Sequence, residues 1–160
     1  MRCYCCSSKP FNECCEPFIK GVKYPNTAEQ LMRSRFSAYA TAHYQYILET
    51  YTKEKQKDLS VEDLVQSAQG ATWFALKVHP TLAANSKPNT AVVEFTAYYF
   101  ENKSMYQLHE TSNFNIEDGK WRYHDGVLHD DCGKIKYGRN LPCVCGSNKK
   151  FKQCCSLKNH

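Results

Sequence analysis

Nine of the ten cysteines in this 160-residue chain lie in two short segments near its ends. The segments are CYCCSSKPFNECC at residues 3–15 and CVCGSNKKFKQCC at residues 143–155. Aligned with an offset of 140, they share seven identical residues in thirteen positions, four of which are cysteines. Two copies separated by unlike sequence do not fit a solenoid, whose repeats must stack on adjacent copies. The chain therefore carries one small module twice.

The rest of the sequence favours reduced thiols over disulfides. No run of eighteen apolar residues exists, and the N-terminus lacks the apolar segment of a secretory signal. The sequence thus predicts a cytoplasmic protein without a membrane span, in a compartment where glutathione and thioredoxin keep thiols reduced. Clustered cysteines in that setting indicate metal ligands, and a disulfide framework is the alternative.

Each module offers four thiolates at a spacing that suits a structural zinc site. A C-x-C pair and an adjacent C-C pair are separated by eight residues. Tetrahedral zinc takes four thiolates, and so small a module needs the metal to supply its folding free energy. We expect two zinc ions per chain, one held by Cys143, Cys145, Cys154 and Cys155 and one by Cys3, Cys5, Cys14 and Cys15.

The sequence alone leaves three points about the cysteines open. Gly146 follows the second ligand and can adopt positive φ without penalty, whereas Cys6 occupies that place in the N-terminal copy. The turn there is in doubt, and Cys6 competes with Cys5 as the ligand. Neighbouring side chains usually diverge, so it is also open whether Cys154 and Cys155 both bind. Cys132 lies outside both modules and receives no role.

The C-terminal module resembles the SEC-C motif, a zinc module found at the C-terminal end of the SecA preprotein translocase motor. The resemblance rests on the pattern C-x-C-G-S-x-K-K-F-K-x-C-C at residues 143–155. In that motif the last two ligands are adjacent in sequence, which implies that both cysteines of the C-C pair bind. It also implies a contact role, because the SecA tail engages a chaperone partner and the ribosome.

The segment between the modules begins with helical signals. Thr27 and Gln30 match a capping box, and the following apolar and aromatic residues keep helical spacing to Tyr51, which predicts one long amphipathic helix. Ser60 and Asp63 open a second, shorter helix that ends near Gly70.

After Gly70 the pattern alternates, as in strands. The segments ATWFALKVH, TAVVEFTAYYFE, SMYQLHETSNFNIE and KWRYHDG are separated by a loop between Pro80 and Pro88, by Asn102-Lys103 and by Asp118-Gly119. In the first strand the alternation places Phe74 on the same face as Leu76 and Val78. Helices followed by an antiparallel meander predict an α+β domain with the helices on one face of a curved sheet.

This order, with LMRSRFSAY, HETSNF and WRYHDG between two SEC-C-like modules, resembles the YchJ-like family of bacterial proteins. The resemblance implies a cone-shaped domain of the nuclear transport factor two-like (NTF2-like) superfamily, but no particular activity. We expect an N-terminal zinc knuckle at 1–20, an NTF2-like domain at 25–131 and a C-terminal zinc knuckle at 141–158.

Relatives of this fold include enzymes with an acid–base pair in the cone, which makes the polar and aromatic residues of the middle segment candidates for a pocket. Arg33, Tyr39, Trp73 and His109 are the candidate pocket residues, and no convincing pair emerges. Strand periodicity separates His109 from Glu110, because consecutive residues of a strand point to opposite faces. No catalytic residue is assigned.

The uneven distribution of charge along the chain suggests the functional hypotheses. Residues 132–160 carry seven basic side chains and no acidic one. The first hypothesis is a non-enzymatic binding or adaptor protein in which Lys149, Lys150 and Lys152 contact a protein or ribonucleoprotein partner. The second is an enzyme or small-molecule-binding protein that uses the cone, with structural zinc only. Direct nucleic-acid binding is a third and less favoured hypothesis, since the C-terminal segment has few aromatic residues for stacking.

Overall fold

The computed structural model describes residues 1–80 and 87–159, so most of the loop expected between Pro80 and Pro88 lies outside the described residues. Within these residues five α-helices and five strands follow one another. The helices are α1 (Glu16–Ile19), α2 (Ala28–Ala40), α3 (Tyr44–Glu49), α4 (Lys53–Gln56) and α5 (Val61–Ala68). The strands are β1 (Thr72–His79), β2 (Thr90–Glu101), β3 (Ser104–Glu117), β4 (Lys120–Leu128) and β5 (Gly133–Ile135).

The strands form one antiparallel sheet in the order β1-β2-β3-β4, and β5 pairs with the start of β3. Two tight turns connect β2 to β3 and β3 to β4. Asn102 and Lys103 both have positive φ, and so do Asp118 and Gly119, as two-residue hairpin turns with primed geometry require. The predicted meander is confirmed, and α2 packs across its inner face to give the predicted α+β architecture.

The prediction of one long helix is wrong. Thr27 accepts a hydrogen bond from the Gln30 amide and so starts α2, but the helix stops at Ala40. Ala42 adopts φ 60°, which turns the chain before α3 begins at Tyr44. The helical spacing of the aromatic residues persists across this break because α3 packs its own apolar side against α2 and α5.

The predicted facing of β1 is also wrong at its start. A bulge lies between Trp73 and Ala75, so that Phe74 is the extra residue of the strand. Trp73 therefore joins Leu76 and Val78 in the core on the inner face, while Phe74 stacks on Phe100 on the outer face, with ring centroids 4.1 Å apart. Strict alternation in the sequence cannot reveal a bulge, because the extra residue reverses the face of every residue that precedes it in the strand.

Both terminal modules belong to the packed body of the protein. Cys3, Cys5 and Cys15 lie in the core beneath α2, together with Leu31 and Met32. The C-terminal cysteines share a second core on the outer face of the sheet, where Phe151 packs near Phe100. Among the described residues no helix is long and apolar enough to cross a membrane.

Candidate metal centres and the inner cavity

The N-terminal module gathers four thiols around one point. Cys3, Cys5, Cys14 and Cys15 have their Sγ atoms within 4.8 Å of one another. The Sγ of Cys14 lies 3.7 Å from that of Cys5 and 3.9 Å from that of Cys15. Three of the four residues are buried, and Cys14 is half-buried.

The C-terminal module repeats this arrangement. Cys143, Cys145, Cys154 and Cys155 also place their Sγ atoms within 4.8 Å of one another, and the Sγ atoms of Cys145 and Cys154 are 3.6 Å apart. The serine hydroxyl two residues after the C-x-C pair lies 3.2 Å from the third thiol in both modules, Ser7 from Cys14 and Ser147 from Cys154.

The spacing of the sulfur atoms fits zinc. With Zn–S bonds of about 2.3 Å, the sulfur atoms of a tetrahedral site lie about 3.8 Å apart, which matches the distances in both clusters. A disulfide would need about 2.05 Å, and all ten cysteines of the chain are free thiols. Both clusters are therefore compatible with zinc binding through four thiolates.

An unusual backbone explains how adjacent cysteines converge. Cys14 has φ −117° and ψ −94°, and Cys154 has φ −131° and ψ −114°. Each follows a single turn of 3-10 helix and donates its amide to the carbonyl of Phe11 or Phe151, at 3.1 Å in both modules. This bend brings the next side chain, Cys15 or Cys155, to the same side as its neighbour.

The N-terminal module keeps its turn without the glycine. Cys6 takes φ 66°, close to the 78° of Gly146, and both amides donate to the carbonyl three residues earlier. The Cys6 thiol points away from the cluster and accepts from the Leu76 amide, at 3.5 Å, on the free edge of β1. Cys5, not Cys6, completes the group of four thiols.

The two modules lie side by side, although 127 residues separate them in sequence. The Arg2 guanidinium donates to the carbonyls of Ser7 and Cys6 in its own module, at 2.9 and 2.7 Å. Its third contact is the Sγ of Cys145, at 3.7 Å, in the other module. One arginine thus connects the two modules.

A second arginine contacts the N-terminal cluster. Arg33 on α2 lies 3.8 Å from the Cys5 Sγ and 3.0 Å from its carbonyl, and it forms an ion pair with Glu29. Because a cluster of four thiolates and one Zn²⁺ carries two net negative charges, a nearby guanidinium stabilises it. Arg33 therefore belongs to this candidate metal centre and does not line the cavity described below.

Hydrogen bonding lowers the pKa of one thiol in each cluster and so favours its ionisation. The hydrogen bond from Cys15 lowers the pKa of Cys5 far below its usual value. Although burial opposes ionisation, hydrogen bonds from Ser147 and Cys143 lower the pKa of Cys145 to about 6. Zinc would displace the remaining protons from the other thiols, since only thiolates coordinate it.

A cavity of about 260 Å³ lies between α2, α5 and the inner face of the sheet. Of the four candidate pocket residues, Tyr39 and Trp73 line it, whereas Arg33 and His109 do not. His109 points from the outer face of β3, where it lies between the carboxylates of Glu94 and Asp131. Strand alternation explains this position, because the neighbouring Glu110 is the residue that faces inward.

Among the polar groups of the cavity, sequence reasoning missed Arg35 and Tyr123, whereas strand alternation already placed Glu110 on the face opposite His109. Arg35 is buried between the rings of Tyr51 and Tyr123, at 4.4 and 4.6 Å from their centroids. Glu110 accepts hydrogen bonds from Tyr123, at 2.9 Å, and from Ser112. Burial and the nearby Glu110 carboxylate raise the pKa of Tyr123, so its hydroxyl stays protonated and donates.

The signal for Arg35 was present in the sequence. Leu31, Met32 and Arg35 share the buried side of α2, at the i, i+1 and i+4 spacing of one helix face. From the sequence alone an arginine at this position belongs on the helix surface, because an unpaired charge is rarely buried. The stacking tyrosines that make burial tolerable lie outside α2, at positions 51 and 123, and give no signal within the helix.

The three lysines proposed as partner contacts do not share one environment. Lys149 and Lys150 are exposed, whereas Lys152 is half-buried and its amide donates to the Arg139 carbonyl at 3.0 Å. Leu141 and Leu157 are also exposed, at 48% and 69% of their surface.

Comparison with known proteins agrees with this architecture. The middle of the chain, residues 27–126, matches the family model described as the YchJ middle NTF2-like domain, and residues 139–157 match the SEC-C motif. The fold and the two cysteine clusters thus define an NTF2-like protein with a C-terminal SEC-C motif and two groups of four cysteines that are compatible with zinc.

The chain belongs to the bacterial YchJ-like family, whose members include the UPF0225 proteins. It is 39% identical over 155 residues to a UPF0225 protein of Photorhabdus laumondii, covering 96% of this chain and 97% of that one. A UPF0225 protein of Geobacter sulfurreducens is 36% identical, with 96% of each chain covered.

Two solved structures share the fold. The crystal structure of a SEC-C motif containing protein from Psychrobacter arcticus has a TM-score of 0.70 and 28% identity, covering 98% of this chain and 96% of that one. The solution structure of a SEC-C motif containing protein from Rhodopseudomonas palustris has a TM-score of 0.74 and 28% identity, covering 81% of this chain and all of that one.

Proposed function

We propose that the protein is a zinc-stabilised binding protein in which both metal centres are structural. The observation that carries this proposal is the closed set of four thiols in each module. Four thiolates fill a tetrahedral site and leave no position for water or substrate. The contacts of both clusters with the cores of the middle domain support a structural role, because each metal would also anchor one end of the chain.

The partner-binding surface that we propose lies on the C-terminal module. It consists of Lys149 and Lys150 with the exposed Leu141 and Leu157, and we call it the C-terminal basic surface. With zinc and four thiolates counted, residues 132–160 keep a net charge of about +5. Such a surface suits an acidic protein or a ribonucleoprotein, in keeping with the SEC-C resemblance.

A charge-matched comparison tests this surface. The zinc-loaded full-length protein, a Lys149→Ala/Lys150→Ala variant and a Lys23→Ala/Lys57→Ala variant would each serve as bait. Lys23 and Lys57 are also exposed but lie outside the C-terminal module, so both variants lose two positive charges. We expect the first variant alone to lose the partners that the wild type recovers, and equal recovery by both variants would contradict the proposal.

Nuclease treatment and salt separate the kinds of partner. A protein partner should remain bound after nuclease treatment. Direct contact with nucleic acid should instead weaken steeply between low and physiological salt, because binding releases counterions. Steep salt dependence that Lys149→Ala/Lys150→Ala reduces would favour the nucleic-acid alternative.

The inner cavity supports a second candidate function, the binding or conversion of a small molecule. Its specific support is the convergence of Glu110 and Tyr123, within hydrogen-bond distance, next to the buried Arg35. The indole N–H of Trp73, which also lines the cavity, is buried and has no acceptor among the described residues. A ligand with an aromatic or apolar body and one acceptor group fits this lining, and Glu110 would be its acid–base group.

Ligand-induced stabilisation tests the cavity. Thermal unfolding of the full-length protein would be followed with a panel of small phenols and carboxylic acids. We expect members of the panel to raise the melting temperature of the wild type and of Glu62→Gln, a change at an exposed position of α5, but not that of Glu110→Gln. If no compound stabilises the wild type, or if both variants respond equally, the cavity has no such role.

A further inference from the structure

A third group of metal-ligating side chains lies on the outer face of the sheet, opposite the cavity. His79 on β1 is paired with Glu94 on β2, and Thr96 on β2 is paired with His109 on β3. Directly paired residues point to the same face, and so do residues two apart on one strand. The sheet register therefore places His79, Glu94 and His109 together on neighbouring strands.

The distances bring these three side chains within reach of one ion. One ligand atom from each of His79, Glu94 and His109 lies within 4.8 Å of the other two. The Nε2 of His109 is 2.7 Å from the Oε2 of Glu94. Adjacent ligands of an octahedral ion with bonds of about 2.1 Å are about 3.0 Å apart, so this pair already has nearly the separation that a metal requires.

Further groups hold His109 in place. Asp131 accepts from the Nδ1 of His109, at 2.9 Å, which leaves Nε2 directed toward Glu94. The ring of His129 stacks on that of His109, with centroids 3.7 Å apart, and its Nε2 bonds the hydroxyl of Thr111. A metal-ligating histidine usually donates its other ring nitrogen to a carboxylate, which fixes the orientation of the ring and its tautomer.

We propose that His79, Glu94 and His109 form a third metal site, which binds a divalent first-row transition-metal ion. Two imidazole nitrogens and one carboxylate oxygen suit such ions, zinc among them. The metal replaces the hydrogen bond between His109 and Glu94, and Asp131 keeps the ring of His109 oriented.

This site differs in kind from the cysteine clusters. Three protein ligands leave at least one coordination position open, whereas four thiolates leave none. The side chains of Glu94 and Asp131 are 33% and 57% exposed, so the open side of the site meets solvent. The ion is therefore exchangeable and able to carry water or a small anionic ligand.

The simpler reading is that Glu94, His109 and Asp131 are only a charge-assisted hydrogen-bond chain. Such a chain explains the two contacts of His109, and a hydrogen bond between the Nε2 of His79 and the Thr96 hydroxyl, at 2.8 Å, accounts for the position of His79. It predicts no uptake of metal beyond the two cysteine clusters. The two readings therefore differ in the number of metal ions that each chain holds.

Metal counting with Zn²⁺ as the probe tests the site. The full-length protein, with both cysteine clusters loaded, would be stripped of loosely held metal with a weak chelator and dialysed against micromolar Zn²⁺. We expect a third equivalent of zinc in the wild type and its loss in both His109→Gln and Glu94→Gln. His43→Gln and Glu62→Gln, changes at exposed positions elsewhere, should keep all three equivalents.

Two further readouts distinguish a ligand site from a structural effect. Zinc should shift the NMR signals of the His79 and His109 rings while the cysteine signals stay unchanged. Asp131→Asn should weaken binding of the third equivalent by about tenfold without abolishing it, since it removes only the supporting carboxylate. Two zinc ions per chain in the wild type at saturation, unmoved histidine signals, or a third equivalent retained in Glu94→Gln would each overturn the proposal.

Discussion

At the scale of single residues, the two modules show how one turn tolerates two different side chains. The turn needs a left-handed residue directly after the second cysteine, and Gly146 and Cys6 both occupy that region. Left-handed backbone costs a non-glycine residue roughly 1–2 kcal/mol. In the N-terminal copy the contact between the Cys6 thiol and the edge of β1 offsets part of this cost.

Gly146→Ala is therefore expected to weaken the C-terminal module. The added methyl group meets only the end of the Arg2 side chain, at 3.5 Å, so the effect is one of backbone strain, about 1 kcal/mol. Zinc release to a colorimetric chelator should become several-fold faster. Gly119→Ala is the matched control, since it has φ 77° and no nearby atoms but lies in a hairpin far from the clusters. Equal release rates in the two variants would contradict this account.

Arg35 shows why sequence reasoning failed for the polar part of the cavity. Its guanidinium lies between two tyrosine rings and donates to the Ile47 carbonyl and the Thr50 hydroxyl, at 2.9 and 2.6 Å. These partners lie in and directly after α3, 12 and 15 residues along the chain, which is beyond the reach of helical spacing within α2. Tyr39 and Trp73 were predictable, because large aromatic residues in a small domain generally face its interior.

Arg35→Lys should cost about 1–2 kcal/mol of stability although it keeps the charge. Lysine cannot stack its head group flat between the rings of Tyr51 and Tyr123, nor reproduce the planar donor geometry. Urea unfolding would measure the loss. Arg139→Lys, at an exposed position, should change stability by less than about 0.5 kcal/mol. A loss at position 35 no larger than that of the control would show that the stack contributes nothing.

At the scale of elements, the sequence predicted the strands better than the helices. The β2 and β3 strands begin and end where the alternation and the Asn102-Lys103 turn indicated. The break between α2 and α3 and the bulge in β1 were not predicted, because neither has a glycine or proline to mark it. In both places tertiary packing imposes a local conformation that the sequence alone does not favour.

The break offers a direct test at Ala42. Because this alanine has φ 60°, Ala42→Gly should relieve strain and stabilise the protein by up to about 1 kcal/mol. Ala40→Gly, two residues earlier and still helical, should destabilise it by a similar amount. Chemical denaturation of the two variants would reveal opposite signs. Destabilisation by both would mean that Ala42 is not held in the left-handed region in solution.

At the scale of the whole molecule, the ends of the chain meet. The repeat predicted two similar modules, and their sulfur geometry is compatible with the expected zinc. Their contact through Arg2 was beyond prediction, since it depends on how each module packs against β1 and α2. The modules are thus not appendages on a cone, and the inner and outer cores each include one cysteine cluster.

Loss of either metal should therefore destabilise the whole protein. Cys154→Ser removes one half-buried ligand of the C-terminal cluster, which would release Phe151 from the outer core beside Phe100. We expect a loss of about 3 kcal/mol or more, the cost of removing one large core side chain, in a single unfolding transition that tryptophan fluorescence detects. Cys132→Ser, which changes a half-buried thiol outside both clusters, should have a much smaller effect. If the fluorescence transition of Cys154→Ser matched that of the wild type, the C-terminal module would be an independent tail, and the shared core would have no energetic importance.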